Sequence, residues 1–172
     1  MYINSGRGGD EMRFVLCGLM LVSALATAET YTGHVIGVAD GDTVTVLDEY
    51  RQQHKVRLGG IDAPEKKQPY GQVSKKHLSH LVFGKMVTIE TSKRDRYRRE
   101  VGKVLINGHD ANLKQIEAGL AWHYKKYSDE QSSADRLSYA AAEVEAQRGR
   151  RGLWQDSNPL APWDFRYQKK GQ

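Results

Sequence analysis

Short runs of β-branched and apolar residues, separated by turn residues, mark the chain between residues 31 and 58. The run 31–39 meets a D-G-D turn at 40–42, and the run 43–47 alternates threonine with valine. A polar loop at 48–52 precedes a third run that reaches Leu58. Strands joined by such tight connections pair antiparallel, because parallel strands need long crossover connections. The pattern therefore predicts a three-stranded meander.

The hydrophobic period changes after this meander. Apolar residues recur three to four positions apart between Tyr70 and Val82, which predicts a helix that ends near Gly84. Two further strands are predicted at 86–91 and 101–106, because both are short runs rich in β-branched residues. The loop between these two strands is strongly basic.

Two more helices are predicted toward the C-terminus. Asp110 is placed to cap the first of them, which extends through Ala118 and is terminated by Gly119. The second covers about 132–148. Its expected buried face consists of Leu137, Ala141 and Val144.

The predicted order of elements is β-β-β-α-β-β-α-α. Five strands with a helix after the third are the components of a closed OB-type β-barrel, so we predict an α+β fold with three helices. We assign this domain to residues 29–155. The segment 156–172 contains Pro159 and Pro162 and is expected to form an irregular C-terminal strap or tail.

An apolar segment at 14–25 follows Arg13 and ends at an A-x-A sequence, 26–28. It is too short to span a bilayer, but it has the length of a signal-peptide core. We therefore predict that residues 1–28 are a signal peptide cleaved after Ala28. The mature protein is expected to be exported by a bacterium, into the periplasm or outside the cell, without a stable membrane anchor.

Two residues of this leader bear on the rest of the chain. Met12 directly precedes Arg13, and translation that started there would leave residues 1–11 outside the protein. Cys17 is the only cysteine and lies inside the leader. The mature domain therefore has no disulfide and must rely on its hydrophobic core.

The chain is basic, with 26 Lys and Arg residues against 21 Asp and Glu residues and a net charge of +5. Such a balance favours polyanionic partners, either nucleic acid or an anionic membrane surface, although it also serves solubility. The densest basic cluster, 93–99, lies between two predicted strands and not on an amphipathic helix. This placement disfavours the membrane surface.

Three fragments carry the candidate chemistry: D-G-D-T at 40–43, R-L-G-G-I-D-A-P-E at 57–65 and D-R-Y-R-R at 95–99. Carboxylates from the first two could converge on one hard cation, because oxygen-only donors select calcium or magnesium over zinc. In an unbroken strand Arg57 and Asp62 would point to opposite faces. A bend or a bulge at Gly59-Gly60 could bring them to the same side.

Arg57 and an arginine of the basic loop could then bind a phosphate group through paired hydrogen bonds. Glu65 remains free to accept a proton from water or to orient it. A cation, two arginines and a general base together suffice for phosphodiester hydrolysis.

These three fragments, in this order and at these separations, resemble the staphylococcal nuclease (thermonuclease) family over residues 31–155. The resemblance implies calcium-dependent cleavage of DNA and RNA to 3′-phosphate ends. It implies that Asp42, Asp62 and the backbone carbonyl of Ala63 hold calcium. It also implies a catalytic set made up of Arg57 and Arg99, which bind the scissile phosphate, and Glu65, which acts on the attacking water.

Two positions depart from the family pattern. Ala63 stands where some relatives have threonine, but only its backbone oxygen is required. Arg98 stands where glycine is usual. If that position needs a positive φ, Arg98 is strained and the placement of Arg99 is affected. Arg98 itself and Arg96 are then the next candidates for a phosphate contact.

Several further residues receive less specific roles. Asp40 is either a turn residue or a group that orients metal-bound water. Residues expected to contact nucleotides, by stacking or by charge, are Tyr97, Tyr124, Tyr127 and Lys93. We expect a monomer. The alternative to an enzyme is a non-catalytic OB-type nucleic-acid-binding module, but such modules usually lack the carboxylates or the arginines that are all present here.

Overall fold

The computed structural model describes residues 29–170. Its strands are β1 (Glu29–Val38), β2 (Thr43–Asp48), β3 (Gln53–Leu58), β4 (Ile61–Asp62), β5 (Met86–Arg94), β6 (Glu100–Ile106), β7 (His109–Asp110) and β8 (Trp122–His123). Its α-helices are α1 (Gly71–Val82), α2 (Ala111–Glu117), α3 (Ser133–Arg148) and α4 (Pro162–Lys170). Short 3₁₀ helices occupy Lys125–Glu130 and Gly152–Gln155. The five predicted strands and three predicted helices are confirmed.

The five long strands form a closed barrel. β2 pairs with β1 and β3, β1 pairs with β5, and β5 pairs with β6, all antiparallel. β3 and β6 then pair in parallel, with Arg57 opposite Val101, and this pairing closes the sheet. Closure satisfies the backbone groups of both edge strands, as in an OB-type barrel. The predicted α+β fold class is confirmed.

The barrel interior and the helices share one hydrophobic core. Its largest fully buried side chains include Val44, Val56, Leu58, Ile61, Leu78, Ile89, Ile116 and Tyr139. Burial of each such side chain contributes about 1.5–3 kcal/mol to stability. Leu58 and Ile61 flank the Gly-Gly pair, so the core holds both sides of the predicted bend.

Helix α2 begins and ends as predicted. The Asp110 carboxylate accepts hydrogen bonds from the backbone N–H groups of Asn112, at 2.8 Å, and Leu113, at 3.1 Å. Gly119 follows the helix with a φ of +67°. A side chain there would overlap the carbonyl group of Arg151, so both the conformation and the close approach require glycine.

The predicted buried face of α3 is wrong. Its exposed residues include Leu137, Ala141 and Val144, whereas Tyr139 and Glu143 are buried. Tyr139 donates a 2.7 Å hydrogen bond to Asp110, and Glu143 accepts one from a backbone N–H of β8. Buried polar groups are tolerated when they have such partners. Hydrophobicity alone does not predict them.

The C-terminal segment is not irregular throughout, because it ends in helix α4. Pro162 is the first helical residue, where a missing N–H and a fixed φ suit proline. The chain just before the helix is attached to the barrel. Gln68 donates a 2.6 Å hydrogen bond to the carbonyl of Leu160, and Ala161 is buried.

The predicted signal peptide, with Met12 and Cys17, lies outside the described residues. Within residues 29–170, no helix combines the length and the apolar character needed to cross a membrane. The domain boundary drawn at residue 155 stays a prediction.

Candidate active site

Arg57 joins two buried carboxylates that come from different turns. Its Nη1 donates to Asp42 Oδ1 and its Nη2 to Asp62 Oδ1, each at 2.8 Å. Asp42 is 4% exposed and Asp62 is fully buried. The second oxygen of Asp42 accepts a 2.9 Å hydrogen bond from the backbone N–H of Ala63. The structure therefore brings together four of the residues singled out in the sequence.

The bend predicted at the Gly-Gly pair is confirmed. Gly60 has a φ of +73°, and the N–H of Gly59 donates to the carbonyl of Gly102 at 2.7 Å. The chain then reverses into β4, where Asp62 pairs with Trp122 of β8. This turn places Asp62 on the same side as the Arg57 guanidinium, which a straight strand would not do.

The close packing of these charges shifts the pKa of Asp62 and of Arg57. Burial raises the pKa of Asp62 and the nearby Asp42 adds to the rise, while Arg166 and Arg57 oppose it without cancelling it. Burial alone would lower the pKa of Arg57, but the charges of Asp42 and Asp62 outweigh it and raise the pKa. Arg57 is therefore a permanent cation at this site.

Asp40 lies at the edge of the same cluster. Its Oδ1 accepts a 3.2 Å hydrogen bond from the backbone N–H of Asp42, which is a turn role. Burial, followed by the charge of Asp42, raises the pKa of Asp40 to about 6. A role in orienting metal-bound water stays a prediction.

Glu65 is half-buried at the mouth of the cluster, in the loop that follows β4. Its backbone N–H donates to Gln68 Oε1 at 3.1 Å, and its carbonyl accepts from the Gln68 N–H at 2.8 Å. Its carboxylate accepts a 2.9 Å hydrogen bond from Arg166 Nη1. The backbone of Glu65 is thus fixed, while its side chain remains accessible.

Arg166 of α4 contacts the candidate site and is a residue that sequence reasoning missed. Its Nη2 donates to Asp62 Oδ2 at 2.7 Å and its Nη1 to Asp62 Oδ1 at 3.2 Å, besides the contact with Glu65. It lies 104 positions from Asp62 and outside the three fragments. No local pattern in the sequence distinguishes it from the other basic residues of α4.

Arg99 is held within its own hairpin. Its Nε and Nη2 bind Asp95 Oδ2 at 2.8 and 2.7 Å, and its backbone N–H donates to Asp95 Oδ1. Burial alone would raise the pKa of Asp95, but the bonds from Arg99 lower it. Among the described residues, the ion pair of Arg99 is with Asp95 and not with Asp42 or Asp62. Its phosphate-binding role stays a prediction.

Arg98 adopts the conformation that the family pattern suggests for glycine. Its φ is +63°, and its N–H donates to the carbonyl of Asp95 at 2.9 Å. For a residue with a Cβ atom this left-handed conformation costs about 1–2 kcal/mol. The hairpin keeps the glycine-like shape, so the strain does not displace the backbone of Arg99, which still bonds Asp95.

The predicted nucleotide-contacting residues lie in two places, with Tyr97 and Tyr127 exposed and Tyr124 partly buried. Tyr124 lies edge-on to Tyr127, with ring centres 5.4 Å apart, and Lys93 Nζ lies 4.9 Å from the Tyr127 ring. Tyr97 is exposed at the tip of the β5–β6 hairpin, next to Arg99. Exposed rings beside cations suit stacking on bases, and their contact with nucleotides stays a prediction.

The donor set fits a hard divalent cation. Within residues 29–170 no group of three or more His, Cys, Asp or Glu side chains is arranged to hold a metal. The expected set, however, needs only the two carboxylates of Asp42 and Asp62 and a peptide carbonyl. All of these donors are oxygen atoms, which is the chemistry that calcium prefers.

Comparison with known proteins gives the family. Residues 55–156 match the family described as staphylococcal nuclease homologue. A Haemophilus influenzae protein named "Uncharacterized endonuclease" is 39% identical over 161 residues, which cover 92% of this chain and 87% of that protein. An Escherichia coli O157:H7 protein with the same name is 41% identical over 138 residues, 80% of this chain and 86% of its own.

A third relative covers nearly the same length. The "Micrococcal nuclease" of Shigella flexneri is 34% identical over 168 residues, which cover 92% of this chain and 94% of that protein. The chain therefore belongs to the staphylococcal nuclease family, and the enzyme class predicted from its three fragments, a phosphodiester hydrolase, is confirmed.

Proposed function

We propose that this protein is an exported, calcium-dependent endonuclease that hydrolyses phosphodiester bonds of DNA and RNA and leaves 3′-phosphate ends. The observation that carries the proposal is the Arg57 guanidinium held between the buried carboxylates of Asp42 and Asp62, with Glu65 at the mouth of the same cluster. Relatives named endonuclease and micrococcal nuclease support the same reaction.

Asp42, Asp62 and the Ala63 carbonyl are the groups that would hold the cation. Bound calcium would neutralise charge on the phosphoryl oxygens. Asp42 is already oriented for this role, because its oxygens are fixed by Arg57 and by the Ala63 N–H. Preorganised ligands of this kind avoid the cost of ordering when the cation and the substrate bind.

Arg57 supplies fixed positive charge where the phosphate becomes more negative. Its guanidinium is oriented by two carboxylates and is partly accessible, so it can donate to phosphate oxygens without losing its position. Arg99 would provide the second guanidinium from the β5–β6 hairpin. Glu65 would take the proton of the attacking water, since its accessible carboxylate stands at the edge of the cluster.

The proposed substrate range follows from what the site can recognise. Its charged groups suit the phosphate backbone, which is common to DNA and RNA, and its exposed tyrosines suit stacking on any base. Export rests on the apolar segment 14–25 and the A-x-A sequence that follows it. N-terminal sequencing of the protein recovered from the producing cells would test cleavage after Ala28.

The deciding experiment uses the purified chain from Glu29. It would be incubated with single-stranded DNA and RNA in calcium, in magnesium and in chelator, and the product ends would be analysed. Calcium-dependent cleavage of both substrates to 3′-phosphates is expected. Glu65→Gln should lower the rate by about 100-fold or more. The control Glu145→Gln changes an exposed glutamate of α3 and should leave the rate unchanged.

Tight binding of both nucleic acids without cleavage in any metal would contradict the proposal. The protein would then be the non-catalytic binding module.

A further inference from the structure

Helix α4 carries a guanidinium into the candidate active site from outside the family domain. The family match ends at residue 156, whereas Arg166 lies ten positions beyond it. Arg166 binds both oxygens of Asp62 and one oxygen of Glu65, at 2.7 to 3.2 Å. It thus bridges an expected cation ligand and the expected general base.

The helix is docked by contacts that do not involve this arginine. The Trp163 ring stacks on Tyr124, with centres 5.4 Å apart, and lies edge-on to Trp122 at 5.5 Å. Gln68 binds the carbonyl of Leu160 just before the helix. α4 should therefore stay in place when the Arg166 side chain is changed. A substitution at Arg166 then removes its contacts with Asp62 and Glu65 without moving the helix.

The charges explain why an arginine is stable there. Asp62 is fully buried, and among the described residues its Oδ2 accepts a hydrogen bond from Arg166 alone. The Arg57 guanidinium serves Asp42 as well, so one positive charge is shared between two buried carboxylates. A buried carboxylate without sufficient counter-charge is costly, and Arg166 supplies the second positive charge.

The same oxygens are those that a divalent cation would need. A cation on Asp62 would stand next to the Arg166 guanidinium, and the two positive charges would repel each other. The two cations therefore compete for one carboxylate. Release of Arg166 would also free Glu65, which shares the same guanidinium.

We propose that Arg166 is a positioning residue that neutralises Asp62 and Glu65 in the cation-free protein and is displaced from them when a divalent cation binds. This inference rests on the proposed function, because it takes Asp62 as a cation ligand. It predicts that Arg166 lowers the affinity of the site for calcium and couples calcium binding to the release of Glu65.

The test measures calcium affinity without nucleic acid and without activity. Isothermal titration calorimetry would compare the mature chain with Arg166→Met, Arg166→Lys and the control Arg148→Met, which alters an exposed arginine of α3. Arg166→Met should bind calcium about tenfold or more tightly, because the competing charge is gone. The calcium affinity of Arg166→Lys should stay closer to that of wild type, and the affinity of Arg148→Met should equal that of wild type. Unchanged or weaker binding by Arg166→Met would overturn the inference.

A second measurement follows Arg166 in the wild-type protein and uses the conservative variant Arg166→Lys only to assign its signal. In ¹⁵N-arginine-labelled protein, the Arg166 side-chain signal is assigned by its absence from Arg166→Lys. Calcium should move this signal toward that of a solvated arginine, and an unmoved signal in calcium-saturated protein would contradict displacement.

The two proposals can fail separately. If wild type binds calcium and cleaves nucleic acid but Arg166→Met binds no more tightly, only the inference about Arg166 is wrong. If no variant binds calcium and wild type does not cleave, the proposed function is wrong and the inference is overturned with it.

Discussion

Arg57 Nη2 and Asp62 Oδ1 lie 2.8 Å apart, although the two residues are separated by a strand end and a glycine turn. The distance depends on Gly60, whose φ is +73°. The ion pair at the centre of the candidate site is therefore a consequence of one backbone conformation.

Gly60→Ala tests this dependence. The positive φ costs an alanine about 1–2 kcal/mol. Its Cβ would also overlap Gln131 Nε2 and approach Tyr139 Cε2 at 3.1 Å. We expect lower stability in chemical denaturation and a marked loss of nuclease activity, because the turn and with it Asp62 must shift.

Gly108→Ala is the matched control for that variant. Gly108 has a φ of +76°, but a Cβ there would meet no atom within 4 Å. It should lose a similar amount of stability from backbone strain and keep its activity. If Gly60→Ala and Gly108→Ala were equally active, the turn would not control the site.

Arg57→Lys separates charge from geometry. Lysine keeps the positive charge but cannot span Asp42 and Asp62 with two nitrogen atoms as the guanidinium does. Cleavage rates should fall by about 100-fold. Lys55→Met on the same strand, an exposed position, should have little effect. Near-wild-type cleavage by Arg57→Lys would show that bidentate geometry is unnecessary.

Arg98→Gly should stabilise the β5–β6 hairpin. Glycine removes the left-handed strain of about 1–2 kcal/mol, but its own entropy cost of about 0.5–1 kcal/mol offsets part of the gain. The net gain in the free energy of unfolding should be up to about 1.5 kcal/mol. Arg96 lies in the same hairpin and is not among the described residues with a positive φ. Arg96→Gly therefore removes no such strain and should destabilise the hairpin. Destabilisation by both variants would contradict the strain at Arg98.

The environment of His54 makes the stability of the fold depend on pH. Its ring nitrogens lie 3.0 Å from carboxylate oxygens of Asp48 and Glu100. Burial alone would lower the pKa of His54, but the two carboxylates outweigh it and raise the pKa. Folding therefore favours the charged ring. This stabilisation is complete below the unfolded pKa of about 6.5 and is lost as the pH rises through the higher folded pKa.

The carboxylates limit the window on the acid side. The bond from His54 lowers the pKa of Asp48. Burial alone would raise the pKa of Glu100, but Tyr31 and His54 lower it. Both carboxylates stabilise the fold above their unfolded pKa values and lose this effect as the pH falls through the folded ones. These carboxylate effects lie below pH 6, so between pH 6 and 8 the loss of charge on His54 dominates. Raising the pH from 6 to 8 should therefore lower the free energy of unfolding.

Urea denaturation across this pH range measures the effect. His54→Gln should flatten the dependence between pH 6 and 8. The exposed His80→Gln should keep the wild-type slope. A His54→Gln profile with that same slope would assign the dependence to other groups.

Much of the fold was predictable because its signals are local. Turn residues bound the strands of the barrel, the change of period marks α1, and Asp110 with Gly119 delimits α2. The Gly-Gly bend could also be inferred, since Arg57 and Asp62 can share a face only if the strand is interrupted. The inner face of α3 could not, because Tyr139 is buried through a hydroxyl partner that lies 29 positions away.

The sequence by itself determined the order of the main elements and the family. It also gave the candidate residues Asp42, Arg57, Asp62 and Glu65, because these lie in short fragments whose spacing is informative. Only the tertiary structure decided that β3 and β6 close the barrel, that Arg99 pairs with Asp95, and that Arg166 reaches Asp62 and Glu65. The contact of Arg166 joins residues about a hundred positions apart. It depends on where α4 docks, and docking is set by packing against the barrel, which no local pattern records.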